Sequence, residues 1–209
     1  MFSSLASSIS ALARSTNPLS STLLNISAHY DISNDMFATF LSPDMTYSCP
    51  IWQQQYGDGP KTEESLEEAQ RRKLLQHIDG ARIKSSDHVL EIGTGWGSFA
   101  IEAVKKTGCR VTSVTLSREQ KLFADERIRS EGLEDRIEVK LMDYREIPVP
   151  EKPYDKIVSI EMLENVGQEY IATYFQCMNR LLKQNGGIAV FQCITMPEGR
   201  HKAYSGSEE

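Results

Sequence analysis

From residue 88 onward the chain alternates short apolar runs with segments whose apolar positions recur at helical spacing. HVLEIG (88–93), RVTSVTL (110–116), IEVKLMD (137–143), YDKIVSI (154–160) and GIAVFQCIT (187–195) are short and β-branched, and read as strands. SFAIEAVKKTG (98–108), SREQKLFADERIRSEG (117–132) and QEYIATYFQCMNRLLKQNG (168–186) read as helices, with Gly108 and Gly132 as stops for the first two. Upstream, TEESLEEAQRRKLLQHIDG (62–80) places Leu66, Ala69, Leu74, Leu75 and Ile78 near helical spacing, acids first, bases later, Gly80 at the end. Strands alternating with helices imply βαβ units, hence an α/β fold with a doubly wound parallel sheet. Ligands of such sheets bind beyond the carboxyl ends of the strands, near the switch in strand order.

The first 60 residues break this rhythm. Residues 1–28 are rich in Ser, Leu and Ala, with one Arg and no acid, which is too little basic charge for a transit peptide. We expect residues 1–25 to form a mobile arm and residues 26–209 the domain. Residues 26–59 mix aromatics, Pro and polar residues around a short helix near 34–41, a composition suited to lining a site.

Composition narrows the class. The 209 residues are 40% hydrophobic and 25% charged, ordinary for one globular domain. A net charge of −6 and the absence of a basic stripe argue against a nucleic-acid partner. Cys49, Cys109, Cys177 and Cys193 are scattered and do not cluster with His29, His77, His88 or His201, so neither a zinc site nor a disulfide framework is indicated. This fits a reducing, cytoplasmic setting. No run of 18 apolar residues occurs, so no transmembrane segment is expected.

Two stretches carry candidate chemistry. EIGTGWG (91–97) follows the first strand and opens a helix, with Gly93, Gly95 and Gly97 in G-x-G-x-G. The dinucleotide fingerprint G-x-G-x-x-G is not met, because Ser98 takes its third position. Glycines there permit a tight turn and close approach of a ligand to the backbone. In this setting E-x-G-x-G-x-G resembles motif one of the S-adenosylmethionine-dependent methyltransferases. Those folds often place an acid after strand two, where this chain has Thr115. Asp143, after strand three, suits the amino group of adenine, and Tyr144 suits packing against its ring. The second stretch is SIEMLENVG (159–167), with Glu161 and Glu164 three apart. Such spacing puts both on one helix face, as a catalytic carboxylate pair or as solvated acids of a first helical turn.

A closer resemblance covers Ile26 to the C-terminus. HYDISNDMF (29–37), MTYSCPIW (45–52), LEEAQ (66–70), EIGTGWG, VTLSREQ (114–120), DYR (143–145) and VSIEMLENVG (158–167) appear in order. Together they strongly resemble the cyclopropane-fatty-acyl-phospholipid synthases and the related mycolic acid cyclopropane synthases. The resemblance implies a Rossmann-like methyltransferase sheet, mostly parallel. It implies transfer of a carbon from S-adenosylmethionine to the cis double bond of an unsaturated phospholipid acyl chain at a membrane surface. It assigns cofactor contacts to Tyr47, Ser48, Glu91, Gly93, Gly95, Thr115, Leu116, Gln120, Asp143 and Tyr144. A bicarbonate ion is the family's proton acceptor, and its holders correspond to Glu164 and Cys49. Glu161 falls where bacterial members often carry glycine, and reads as a helix-start acid.

Aromatic faces can stabilise a cation formed on the acyl chain, and Tyr30, Phe37, Phe40 and Trp52 are candidates for such walls. Two departures stand out. Gln192 occupies the place of a histidine that touches bicarbonate in many bacterial members. The family also continues for on the order of a hundred residues past strand five, where domain lengths of this class extend. The last two strands of the sheet are therefore expected to be missing from residues 1–209, leaving an inactive, poorly behaved chain. Two other readings compete: methylation of a small-molecule amine or a methyl branch on the acyl chain, and an inactive cofactor-binding remnant.

Overall fold

The computed structural model describes residues 34–53 and 64–200. The arm assigned to residues 1–25, the candidate wall residue Tyr30, and His29 and His201 lie outside the described residues. The elements are α1 (Asn34–Ala38), α2 (Leu66–Gly80), β1 (His88–Ile92), α3 (Ser98–Thr107), β2 (Arg110–Thr115), α4 (Arg118–Ser130), β3 (Ile137–Leu141), β4 (Lys156–Ile160), α5 (Ile171–Leu181) and β5 (Ile188–Gln192). Short 3₁₀ turns sit at Tyr144–Glu146, Leu163–Asn165 and Gln168–Tyr170.

Among the described residues the sheet runs β3-β2-β1-β4-β5, and every pairing is parallel. The mostly parallel, doubly wound α/β expectation therefore holds. The order reverses between β1 and β4, where the crossover changes sides and a cleft opens at the strand ends.

Strand alternation sorts the core into two layers. Val89, Val111, Ile137, Val139 and Val158 pack with α2, α3 and α4 residues such as Leu74, Ile78, Phe99 and Ala124. Leu90, Ile92, Val114 and Ile157 face the other way, onto Tyr174, Met178 and Leu181 of α5. β5 pairs with β4 alone among the described residues, and its positions are half-buried.

Helix ends follow local chemistry. Ser65 opens α2: its hydroxyl accepts from Glu68 N–H at 3.2 Å, and the Glu68 carboxylate accepts from Ser65 N–H at 2.8 Å. This capping box starts the helix at Leu66, later than the run of acids suggests. Ser117 caps α4 by accepting from Gln120 N–H at 3.1 Å. The expected helix over 168–186 is shorter than read. Leu182 leaves it in an extended conformation, because Tyr154 donates to Leu181 O at 3.0 Å and Lys183 to Tyr154 O at 2.9 Å. Among the described residues no helix is long and apolar enough to cross a membrane.

Candidate active site

The cleft at the switch point encloses about 930 Å³ of empty space including its open mouth. Its floor is the glycine loop after β1. Gly93 N–H and Thr94 N–H both donate to Val114 O, at 3.0 and 3.1 Å, which ties this loop to the end of β2. Gly93 turns with φ +97, and a Cβ there would lie 2.8 Å from Met162 Cγ. Gly95, at φ +51, has nothing within 4 Å of its would-be Cβ and looks onto open space. Both are conformations that side chains resist.

The wall beyond β2 carries Thr115, Leu116 and Gln120. Thr115 Oγ donates to Gln120 Oε1 at 2.9 Å, which engages the carbonyl end of that amide and leaves its NH₂ as a donor. Tyr144 lines the same wall, buried against Tyr174 with ring centroids 5.0 Å apart, and burial pushes its phenol up to about 12. Glu91 lies at the base. Ser113 Oγ donates to it at 2.5 Å and Thr94 Oγ sits 2.6 Å from Ser113 Oγ. Burial pushes the Glu91 carboxyl up to about 8, so it is protonated near neutrality.

The roof is the segment Met45–Ser48. Tyr47 lies edge-on to Phe37, with centroids 5.5 Å apart. Helix α2 anchors this segment. Gln70 Nε2 donates to Ser48 O at 2.7 Å and to Thr46 O at 3.3 Å, Arg72 donates to Ile51 O at 3.0 Å, and the buried Lys73 ammonium donates to Ser48 Oγ. α3 and α4 hold it from below, through Ser98 Oγ to Asp44 O and Arg127 to the same carbonyl at 3.0 Å.

Tyr47, Ser48, Glu91, Gly93, Gly95, Thr115, Leu116, Gln120 and Tyr144 thus meet around one cleft, as the sequence suggested. Asp143 does not join them. It is buried behind the wall, accepting from Arg145 Nε at 2.8 Å, from an Arg145 terminal nitrogen at 2.7 Å and from Arg145 N–H at 2.9 Å. Phe37 packs on Trp96 with centroids 4.9 Å apart, while Phe40 and Trp52 are half-exposed; none of the three lines the cleft, so they do not form a cation-stabilising wall there.

The two glutamates are placed differently from one another. Glu161, read as a helix-start acid, follows β4 in a left-handed turn at φ +50 and faces the cleft. Its Oε1 accepts from Cys49 N–H at 2.7 Å and from Gln192 Nε2 at 2.7 Å, and Gln192 Nε2 also reaches Cys49 O at 3.2 Å. Glu164, expected beside Cys49 and Gln192, is exposed, sits in the 3₁₀ turn, and accepts from Ile194 N–H. The chain turns before any α-helix begins, yet both acids act on the same two thiols, burial and the two carboxylates together pushing Cys49 and Cys193 up. Cys49 and Gln192 are brought together as expected, but by Glu161.

Sequence reasoning missed Met45, Thr46, Thr94, Met142, Met162 and Asn165 on the cleft and the anchoring role of Gln70 and Lys73. The last two carried a signal: Gln70, Lys73 and His77 are polar yet share the helical face of Leu74 and Ile78. Among the described residues no group of three His, Cys, Asp or Glu side chains is placed to hold a metal.

Several known proteins resemble this chain in sequence and fold. The chain is 42% identical over 176 residues to the tuberculostearic acid methyltransferase UfaA1 of Mycobacterium tuberculosis, covering 84% of this chain and 40% of that protein. It is 38% identical over 158 residues to the cyclopropane-fatty-acyl-phospholipid synthase of Escherichia coli K12, covering 76% and 37%. The chain thus spans about 40% of the length of these relatives. The crystal structure of mycolic acid cyclopropane synthase CmaA1 complexed with SAH and CTAB superposes with a TM-score of 0.71 at 29% identity, over 81% of this chain and 55% of that one. The model of the mycolic acid cyclopropane synthetase family matches residues 18–209, and the chain belongs to that family.

Proposed function

We propose that the chain binds S-adenosylmethionine in this cleft and directs its one-carbon group to the cis double bond of an unsaturated lipid acyl chain, closing a cyclopropane ring. The observation that carries the reading is the convergence of the glycine loop, the Thr115–Gln120 pair and the Tyr47–Ser48 roof on one cleft beside the Cys49–Glu161–Gln192 cluster. The residues fit the cofactor: Gly95 leaves open space where backbone contact is needed, and Gln120 offers an amide donor. Bound there, S-adenosylmethionine supplies an electrophilic methyl group.

The chain's own residues do the rest. Leu116, Met142, Ile160 and Met162 keep that part of the cleft apolar, which limits water near a carbon cation. Ring closure needs a proton acceptor for the new methyl carbon. A bound bicarbonate does not fit the donors present, because Cys49 N–H and the Gln192 amide already serve the Glu161 carboxylate. Of the two carboxyls on the cleft, Glu91 is protonated near neutrality, which leaves Glu161 as the acceptor we assign. UfaA1, named as a methyltransferase, supports a second product, a methyl branch on the acyl chain.

The test incubates the protein with methyl-labelled S-adenosylmethionine and vesicles of monounsaturated phosphatidylethanolamine, then analyses the acyl chains by mass spectrometry. A gain of one CH₂ per chain with a ring supports the reading. Label on a branched chain selects the second product, and label on an amine alone defeats both.

A further inference from the structure

We propose that Lys73 is a positioning residue for the carboxylate at the amino-acid end of the cofactor, acting through the hydroxyl of Ser48. The inference rests on the S-adenosylmethionine reading above. Lys73 is completely buried on α2 and does not line the cleft, whereas Ser48 does. An ammonium has donors and no acceptor, so Ser48 Oγ must accept from Lys73 Nζ. The hydroxyl's own hydrogen is then turned away from the lysine, toward the cleft. The backbone carbonyl of Ser48 is engaged by Gln70, which fixes how the segment presents this hydroxyl while the roof is docked. The result is a polarised donor backed by a buried positive charge, aimed at the wall opposite Thr115, Leu116 and Gln120. A nucleoside lying against that far wall presents its other end to Ser48.

The electrostatics favour an anion there. Asp44 and Cys49 of the roof segment, Glu161 beyond β4, and His77 on α2 itself act on Lys73 from its surroundings. Among the described residues none of these carboxylates forms an ion pair with it. A buried cation without a close counter-charge is costly, and a ligand carboxylate one hydroxyl away offsets that cost. Burial pulls the Lys73 ammonium down to about 8, so the charge, and with it the attraction, fades in the mildly alkaline range.

Two ligands separate this role from general damage. S-adenosylhomocysteine carries the carboxylate; 5′-methylthioadenosine keeps the nucleoside and sulfur but lacks it. Calorimetry with wild type, Lys73→Met, Lys73→Arg and Ser48→Ala reads both affinities, with thermal melting of each variant alongside. Loss of a charge-assisted hydrogen bond is expected to weaken S-adenosylhomocysteine by about tenfold or more in Lys73→Met and Ser48→Ala, with methylthioadenosine unchanged. Lys73→Arg should recover part of the loss. The wild-type preference for S-adenosylhomocysteine should shrink between pH 7 and pH 9, while that of Lys73→Met stays flat. Ser48→Ala leaves the cation in place, so it must show the same split even where Lys73→Met lowers the melting temperature. Equal S-adenosylhomocysteine affinity in wild type and variants, or equal loss of both ligands, overturns the proposal. Wild type that binds neither ligand instead defeats the cofactor reading beneath it.

Discussion

Glu161 Oε1 lies 2.7 Å from Gln192 Nε2, so the residue just after β4 and the last residue of β5 share a hydrogen bond. By the resemblance described above, these are the positions expected to carry glycine and histidine in many bacterial members. The departures are in contact and form one feature. Removing either partner leaves a polar group facing the other without its bond. In a double-mutant cycle, Glu161→Ala and Gln192→Ala should each destabilise, and the double variant should fall short of their sum by about 1 kcal/mol. Urea denaturation of the four proteins gives the coupling; strict additivity would mean that the pair does not interact in solution.

The same geometry ranks the two glutamates in turnover. In the lipid assay, Glu161→Gln should lower the rate by about 10²-fold, the usual scale for a lost general base. Glu164→Gln should cost far less, since Glu164 is exposed and accepts from Ile194 N–H, away from the Cys49 and Gln192 donors. The reverse order would favour Glu164 as the holder of a separate proton acceptor, as the resemblance implies.

Gly93 and Gly95 should fail in different ways. Gly93→Ala forces a Cβ against Met162 Cγ at 2.8 Å in a left-handed turn, so its main effect is on the fold. Gly95→Ala meets no protein atom within 4 Å and bears only the backbone strain, about 1 kcal/mol. Its added methyl points into the space assigned to the ligand. Differential scanning should show the larger drop in melting temperature for Gly93→Ala, while calorimetry with S-adenosylhomocysteine should show a clear loss for Gly95→Ala despite its milder unfolding.

Glu91 gives stability a pH dependence of definite sign. Its folded-state value, about 8, is above the ordinary value of 4.5, so the folded chain holds a proton that the unfolded chain releases. That contribution is fully present below pH 4.5 and is lost as pH rises toward 8. Glu91→Gln lacks this titration. Relative to the variant, wild type should lose up to about 1.4 kcal/mol per pH unit within that window. Chemical denaturation at pH 5, 6, 7 and 8 reads the difference, and parallel curves would contradict a buried neutral carboxyl.

Asp143→Asn should be a stability lesion first. Arg145 grips both carboxylate oxygens, with side chains only 4% and 14% exposed. Leaving the guanidinium without its partner should cost about 3 kcal/mol. Arg145→Met in the same background should recover part of it, which a direct cofactor role for Asp143 would not predict.

How much of this was written in the chain depends on the kind of order asked about. The strands and helices were legible because HVLEIG, RVTSVTL and YDKIVSI are short β-branched runs, and because Gly80 and Gly108 mark helix ends. The cleft was legible where residues follow directly on a strand, as with Gly93, Gly95 and Thr115. Glu161 was not, because its position depends on a single left-handed turn that spacing rules for helices do not contain. The pairing of Asp143 with its neighbour Arg145 was not legible either, because an inventory of ligand groups overlooks such local competition. Lys73 was hidden in a helix that already accounted for its charges as surface residues.

The cleft's two sides are attached to different parts of the molecule. Floor amides at Gly93 and Thr94 are bonded to Val114, within the central strands, whereas the roof hangs from side chains of α2, α3 and α4 and a few loop contacts. Hydrogen exchange should therefore divide the cleft in time. Deuterium should enter Gly93 and Thr94 only through global unfolding, while Met45 and Ile51 amides should exchange through local detachment of the roof from α2, orders of magnitude sooner. A ligand that bridges the two sides would slow the second class toward the first, giving a label-based measure of occupancy that needs no turnover.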